Sequence, residues 1–396
     1  MSEKFKHGRL FVIKYLEVFL VALRLGCTSF GGPTAHLGYF YDEYVKRKQW
    51  LTEQQYTNLV ALCQFLPGPA SSQVGFGIGI TKAGLIGGVI SFIGFTLPSV
   101  IVLMLCATLL LAYSNDLGWT HGLKLVAVAI VLNAIIGMGQ KLLPDLKTKI
   151  LALFTLVVSI TVIHPLSQLG ALTVVSIVGL ALFRETDEQK SLIKIFNIPR
   201  IVGAISLILF FSLLLILPIL NFVTHNSWIN MIDNFYRSGA LVFGGGHVVL
   251  PLLEQSFVAT DMISANDFLS GYALTQAVPG PLFTFAAYIG TVMSGVTGGI
   301  IATIAIFLPA FLLLVGVLPF WEHVQSNRYA KSMLKAVSAG VVGILIAAFY
   351  DPIFTSSVNS NMDFAFAATL FVLLAYCKAP SGLIVILGLL IGLIFY

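Results

Sequence analysis

Two short stretches carry residue types able to hold a ligand: "QFLPGPASSQVG" at 64–75 and "QAVPGPLFTFAA" at 276–287. Gln64 lies three positions before Pro67-Gly68-Pro69, and Gln276 three before Pro279-Gly280-Pro281. Pro-Gly-Pro cannot continue a helix. The first proline ends one helix, the glycine turns, and the second proline suits the start of the next. A helix starting at Pro69 leaves the N–H groups of its first turn without intrahelical partners. The helix dipole adds partial positive charge there, and such ends bind anions. Ser71, Ser72 and Gln73 add side-chain donors. A helix starting at Pro281 adds Thr284, but has Phe283 and Phe285 where the first stretch has Ser71 and Gln73. The two half-sites are therefore unequal, and the first is the more polar.

A second pair of breaks accompanies them. Phe30-Gly31-Gly32-Pro33 and Phe243-Gly244-Gly245-Gly246 can each end one helix and begin another. Arg24 and Arg237 each stand six residues before the phenylalanine. An arginine in apolar surroundings costs about 2.5–3.5 kcal/mol at a membrane centre, so it faces protein or a cavity. Fixed positive charge among several free helix N-termini describes a site for a small anion. The competing reading is that glycine and proline only permit kinks and close packing; recurrence of both breaks together with Arg and Gln argues against it. Other polar residues read as structural. His36 and His247 are local hydrogen-bonding residues. Lys82, whose counterpart is Met293, snorkels, with ion coupling as the alternative role. Glu17 is a weak candidate for proton coupling. Lys124 and Lys335 anchor helix ends. Asp42 and Glu43 belong to a solvated charged loop with Lys46–Lys48. No metal or cofactor site is expected.

The elements that must position these residues are membrane helices. Of 396 residues, 58% are hydrophobic and 10% charged, against about 25% charged in a soluble domain. Apolar runs recur at Leu85–Leu111, Leu123–Gly139, Ile150–Ile163, Ile201–Val223, Val337–Phe349 and Gly382–Tyr396. A span needs roughly 20 apolar residues, and the alternating ten-residue segments of a β-barrel are absent from the sequence. The expected fold is an all-α polytopic membrane protein with broken or re-entrant helices, crossing roughly nine to thirteen times. The net charge of +5 includes no basic face dense enough for nucleic acid. The four cysteines have no metal-ligand spacing, and three lie in apolar runs, so they read as buried thiols. No cleavable signal peptide is evident, and the basic start Met1–Arg9 suits a cytoplasmic N-terminus.

The chain also reads as a duplication. Arg24 and Arg237, Pro67 and Pro279, Pro98 and Pro309, and Lys124 and Lys335 are separated by 213, 212, 211 and 211 positions. So steady a register marks a tandem repeat, with a first copy at 11–185 and a second at 226–396. A charged linker and one extra apolar segment, together 186–225, join them. One extra crossing inverts the second copy, and loop charge tests this. Lys46-Arg47-Lys48 is basic, whereas its counterpart near Glu254–Asp267 has no Lys or Arg. Lys141, Lys147 and Lys149 face a counterpart, Asp351–Asp363, with none. Tyr113–Thr120 and His164–Gln168 have none, whereas their counterparts carry Arg328 and Lys331, and Lys378. Two inverted-topology repeats place a site at their interface near the midplane, as in secondary transporters. The N-terminus is then cytoplasmic and the C-terminus outside.

These motifs, "RLGCTSFGGPTAHLGYF", Trp50, "QFLPGPASSQVGFGIG", "LVFGGGHVVLPLLEQ" and "QAVPGPLFTFAAYIG", resemble the chromate ion transporter family in its long, two-domain form. The resemblance covers nearly the whole chain. It implies an inner-membrane transporter that exports chromate, with sulfate as the look-alike anion, and two homologous halves in antiparallel orientation. The expected partners are a small inorganic oxyanion, the lipid bilayer and, as a homodimer, a second copy of the chain. Expelling a dianion from an interior-negative cell releases about 4.6 kcal/mol per 100 mV, twice the single-charge value. An importer or exchanger of sulfate or another small anion is the nearest alternative, and an anion channel is a second. A membrane enzyme would need a catalytic constellation, and the seven histidines are scattered.

Overall fold

The computed structural model describes residues 2–112, 118–162, 167–183, 198–243, 246–321 and 327–396. Among the described residues there is no strand. In the first half, α1 (Ser2–Thr28) ends just before the Phe-Gly-Gly break, and α2 (Gly32–Phe40) runs on into a π-turn, Tyr41–Arg47. Next come α3 (Glu53–Phe65), α4 (Ala70–Ala112), α5 (Trp119–Leu142), α6 (Leu146–Thr161) and α7 (Ser167–Leu182). The connecting helix is α8 (Arg200–Thr224). The second half comprises α9 (Ser227–Leu241), α10 (Val249–Leu253) with a π-turn at Glu254–Val258, α11 (Ala265–Ala277) and α12 (Phe285–Val317). It ends with α13 (Arg328–Ala348), α14 (Asn361–Ala375) and α15 (Ser381–Phe395).

Five stretches are long and apolar enough to cross a membrane, with four shorter apolar helices beside them, among the described residues. Two of the long ones are not straight. α4 leaves helical geometry at Ala83 and Gly84 (φ +71°), and α12 does so at Ser294 and Gly295 (φ +65°). A positive φ of this kind favours glycine, which has no Cβ. The chain doubles back at each point: Ser91 Oγ donates to Gly75 O at 2.8 Å across the first turn. Gly290 and Gly298, eight residues apart, touch across the second. Both long helices are therefore hairpins.

The halves interlock. α6 and α7 pack against α13, whereas α14 and α15, at the matching positions of the second half, pack against α5. Small residues permit this closeness: Gly179 lies on Ala336, Gly343 on the Ala152 carbonyl, and Gly122 on the Gly388 carbonyl. Lys335 of α13 reaches Asp145 before α6 at 3.7 Å, and Lys124 of α5 reaches Asn266 at the start of α11 at 3.1 Å. Asp145 caps α6 through the Thr148 amide, and that hydrogen bond holds its carboxyl below the usual range. α4 meets α12 through rings, Phe76 on Phe311 at 4.3 Å and Phe92 on Phe307 at 4.9 Å. Helix α8 instead turns apolar side chains outward, with Ile208, Leu215 and Phe222 exposed, the pattern of a helix facing lipid. Of the four cysteines only Cys63 is buried; Cys106 is half-buried, and Cys27 and Cys377 are exposed, because each lies on an outward helix face or a loop. That corrects the expectation of buried thiols.

Gly122→Ala drives a methyl into the Gly388 backbone, whereas a Cβ at Gly137 meets nothing within 4 Å. The first should cost about 1–3 kcal/mol, and the second should be neutral or gain about 0.5–1 kcal/mol. Thermal unfolding in detergent checks this; equal midpoints for the two variants would contradict the packing.

Candidate functional site

The first Pro-Gly-Pro is the tip of a helical hairpin. Leu66, preceding a proline, is extended (ψ 149°), and α3 ends there. Gly68 takes φ +116°, a left-handed value that a Cβ would strain. α4 then returns alongside α3, so that Gly77 packs against Leu59, each nine residues from Gly68. The second tip matches: Gly280 has φ +109°, and Gly271 packs against Tyr288. One difference follows from Thr284. Its Oγ1 and its amide both bond to Pro281 O, at 2.6 and 3.0 Å, and the return arm begins as a 3-10 turn over Leu282–Thr284.

The tips reach across to the other half. Gly68 N–H donates to Val242 O at 2.7 Å, and Gly280 N–H donates to Ser29 O at 3.0 Å. Val242 and Ser29 are equivalent residues, each just before a Phe-Gly-Gly. A Cβ on Gly68 would meet Ala310, and one on Gly280 would meet Ser99; both are the residues following the mid-helix prolines. A Cβ on Gly246 would meet Leu282 and then Pro33, the counterpart of Gly246. Each break thus sits against the opposite break of the other half. Gly31 and Gly32, at φ +94° and +73°, shape the uncapped start of α2 here. Gly244 and Gly245 lie outside the described residues, as does the side chain of His247.

The polar side chains divide into occupied and unoccupied groups. His36 is fully buried, with Nε2 3.1 Å from Ser29 O and Nδ1 3.3 Å from Ser71 Oγ. A carbonyl only accepts, so Nε2 carries the proton and Ser71 donates to Nδ1. Gln73 donates through Nε2 to Pro67 O and Ala310 O at 3.0 and 3.1 Å, pinning the tip. Ser72 Oγ, however, is buried without a hydrogen-bond partner, and so are Ser29 Oγ and Thr96 Oγ1; the Gln276 amide lies against the Tyr272 hydroxyl. Gln64 is exposed. Ser29 and Thr96 were not singled out from sequence. Their signal was position, immediately before one break and two residues before Pro98, but their counterparts Val242 and Phe307 are apolar.

The two arginines differ in charge environment. Arg237 is neutralised one helical turn back: Nε and Nη2 bond to the Asp233 carboxylate at 2.9 and 2.8 Å, and Nη2 also to Asn234 at 3.0 Å. Asp233 is completely buried. The four-residue spacing was the available sequence signal. Arg24 pairs with Glu43, which Arg47 also contacts at 3.2 Å. Glu43 is 7% exposed while the arginines are 45% and 63% exposed; it is a buried anchor for two cations rather than part of a solvated loop. Lys48 and Lys82 share Glu17 at 2.8 and 4.0 Å, and Lys46 pairs with Asp42 at 2.8 Å. Lys82 also lies over the Trp50 ring at 4.8 Å. With Glu53 also beside Lys46 and Tyr41, these five basic groups meet four carboxylates, and the cluster keeps a small cationic excess.

A family described as chromate transporter matches residues 16–184 and 229–393. The chain is similar to an uncharacterized transporter of Methanocaldococcus jannaschii, 28% identical over 390 residues, 95% of this chain and 93% of that protein. It is also similar to a chromate transport protein of Pseudomonas aeruginosa, 26% identical over 343 residues, 86% and 81% of the two chains. A chromate transport protein of Cupriavidus metallidurans is 25% identical over 394 residues, 96% and 93% of the two. No solved structure matches.

An unpaired buried polar group costs about 1–3 kcal/mol. Ser72→Ala and Thr96→Val should therefore leave the ligand-free protein equally stable, or raise its unfolding midpoint. A clear fall in midpoint for both would show that these groups have partners.

Proposed function

Because this chain belongs to the chromate transporter family, a multi-pass membrane family, we propose that it is a secondary transporter exporting chromate, with sulfate as a competing analogue. The observation that carries the reading is the unpaired set at the crossed tips. Ser72, Ser29 and Thr96 present buried hydroxyl donors with no protein acceptor, on the segments that meet there, and the Gln276 amide lies beside them next to Tyr272. A tetrahedral oxyanion is acceptor-rich on every face and satisfies several such donors at once. Free N–H groups at the start of α2 add to the same positive field. Ser71 and Gln73 act one step removed, holding His36 and the tip in place.

An inverted pair of repeats, 11–185 and 226–396, gives these contacts their origin. Opposite loop charge supports it, and so does the exchange of equivalent contacts, because a residue lying against its own counterpart, as Pro33 lies against Gly246, sits beside a twofold axis. The basic cluster carries Lys46–Lys48, which the positive-inside rule assigns to the cytoplasm. It therefore gathers dianions on the side from which the inner-membrane potential expels them. The interlock of α6 and α7 with α13, and of α14 and α15 with α5, argues against rocking one sequence half on the other. The hairpin tips and their long helices move instead against this exchanged frame.

Everted vesicles carrying the protein should show saturable chromate uptake, driven by an imposed potential and inhibited by sulfate. Ser72→Ala and Gln276→Leu should each lower it by about tenfold or more, roughly one lost charge-assisted hydrogen bond. Arg24→Ala should weaken uptake at low chromate through loss of capture. Arg237→Ala alone strands the buried Asp233 charge, so the informative variant pairs it with Asp233→Asn. No uptake above control vesicles, with the protein present in the membrane, would remove chromate as substrate.

A further inference from the structure

A cavity with an acidic lining lies away from the tips. It has a volume of about 370 Å³ and is walled by the ends of α6 and α7 from the first half and by the Glu254 π-turn and the end of α13 from the second. Glu254 and Asp351 line it, with Ser159, Gln168 and Tyr350, and among the described residues no Lys, Arg or His does. Thr355 donates to Asp351 Oδ1 at 3.0 Å, orienting that carboxylate. Gln168 is 8% exposed, and its Oε1 accepts no hydrogen bond; Ser159 Oγ is likewise buried without a partner. Two carboxylates, an amide oxygen and a hydroxyl form a set of hard oxygen donors that an anion would avoid.

We propose that this cavity binds a hydrated monovalent cation such as Na⁺, held by Glu254 and Asp351 and completed by Gln168 Oε1. Oxygen ligands of this kind suit hard cations. Among the described residues no three or more His, Cys, Asp or Glu are grouped so as to hold a metal ion, and a tightly held divalent ion ordinarily recruits more such ligands. The volume leaves room for the ion and part of its water shell, since one water occupies about 30 Å³. The ligands come from both halves, so the bound ion ties α7 to the Glu254 turn. Its use as a coupling ion rests on the transport reading; its binding does not.

The test is equilibrium binding of radioactive Na⁺ to the purified protein in choline buffer without chromate. Saturable binding is expected. Glu254→Gln and Asp351→Asn should each weaken it by about tenfold or more, the equivalent of about 1.4 kcal/mol. Gln168→Glu, which adds a carboxylate without adding bulk, should tighten it several-fold, and this gain holds the test open if either loss variant fails to fold. No saturable Na⁺ binding by the unmodified protein would overturn the proposal. So would affinity unchanged in the folded variants.

Discussion

Two backbone hydrogen bonds organise this molecule. Gly68 N–H to Val242 O and Gly280 N–H to Ser29 O cross from one half to the other at the tips of the two hairpins. Each requires a glycine. The donors sit at left-handed φ, and their missing side chains admit Ala310 and Ser99. Flanking prolines remove the competing amides and fix the neighbouring dihedrals. In an apolar interior an open backbone amide costs several kcal/mol, so these bonds commit each tip to the opposite break. The other features follow from that commitment: the doubling back at Gly84 and Gly295, the ring stack between α4 and α12, and the unpaired polar groups gathered where the tips meet.

Pseudo-symmetric in backbone, the structure is asymmetric in charge. Arg237 is cancelled by a buried aspartate on its own helix, whereas Arg24 and Arg47 share a single glutamate. The tip of the first half presents Ser71, Ser72 and Gln73, and that of the second packs Phe283 and Phe285 into the core. The breaks recur in both halves, but the side chains around them differ. A cluster of basic groups in one half and an acid-lined cavity elsewhere give the molecule separate surfaces of opposite charge.

Much of this was legible in the residues. Pro-Gly-Pro and Phe-Gly-Gly announce helix breaks because proline lacks an N–H and glycine tolerates positive φ, both local facts. Lys124 and Lys335 do tie helix ends, and His36 is a local hydrogen-bonding residue. What escaped is what depends on three-dimensional partners. Ser71 and Gln73 read as free donors until His36, Pro67 and Ala310 come within reach. Glu43 read as solvated because its neighbours are charged, but the π-turn points it inward at Arg24. Thr96 was invisible because its role depends on where α4 meets the second tip. The exchange of α6 and α7 for α14 and α15 has no local signature at all.

The most direct measurement is a structure of the protein with chromate bound, the anion placed by the anomalous scattering of chromium. The account predicts a chromium peak at the crossed tips, within hydrogen-bond reach of Ser72 or Gln276. A peak only at the Arg24–Arg47 cluster, with the tips vacant, would contradict it and make the breaks structural joints rather than the seat of the anion.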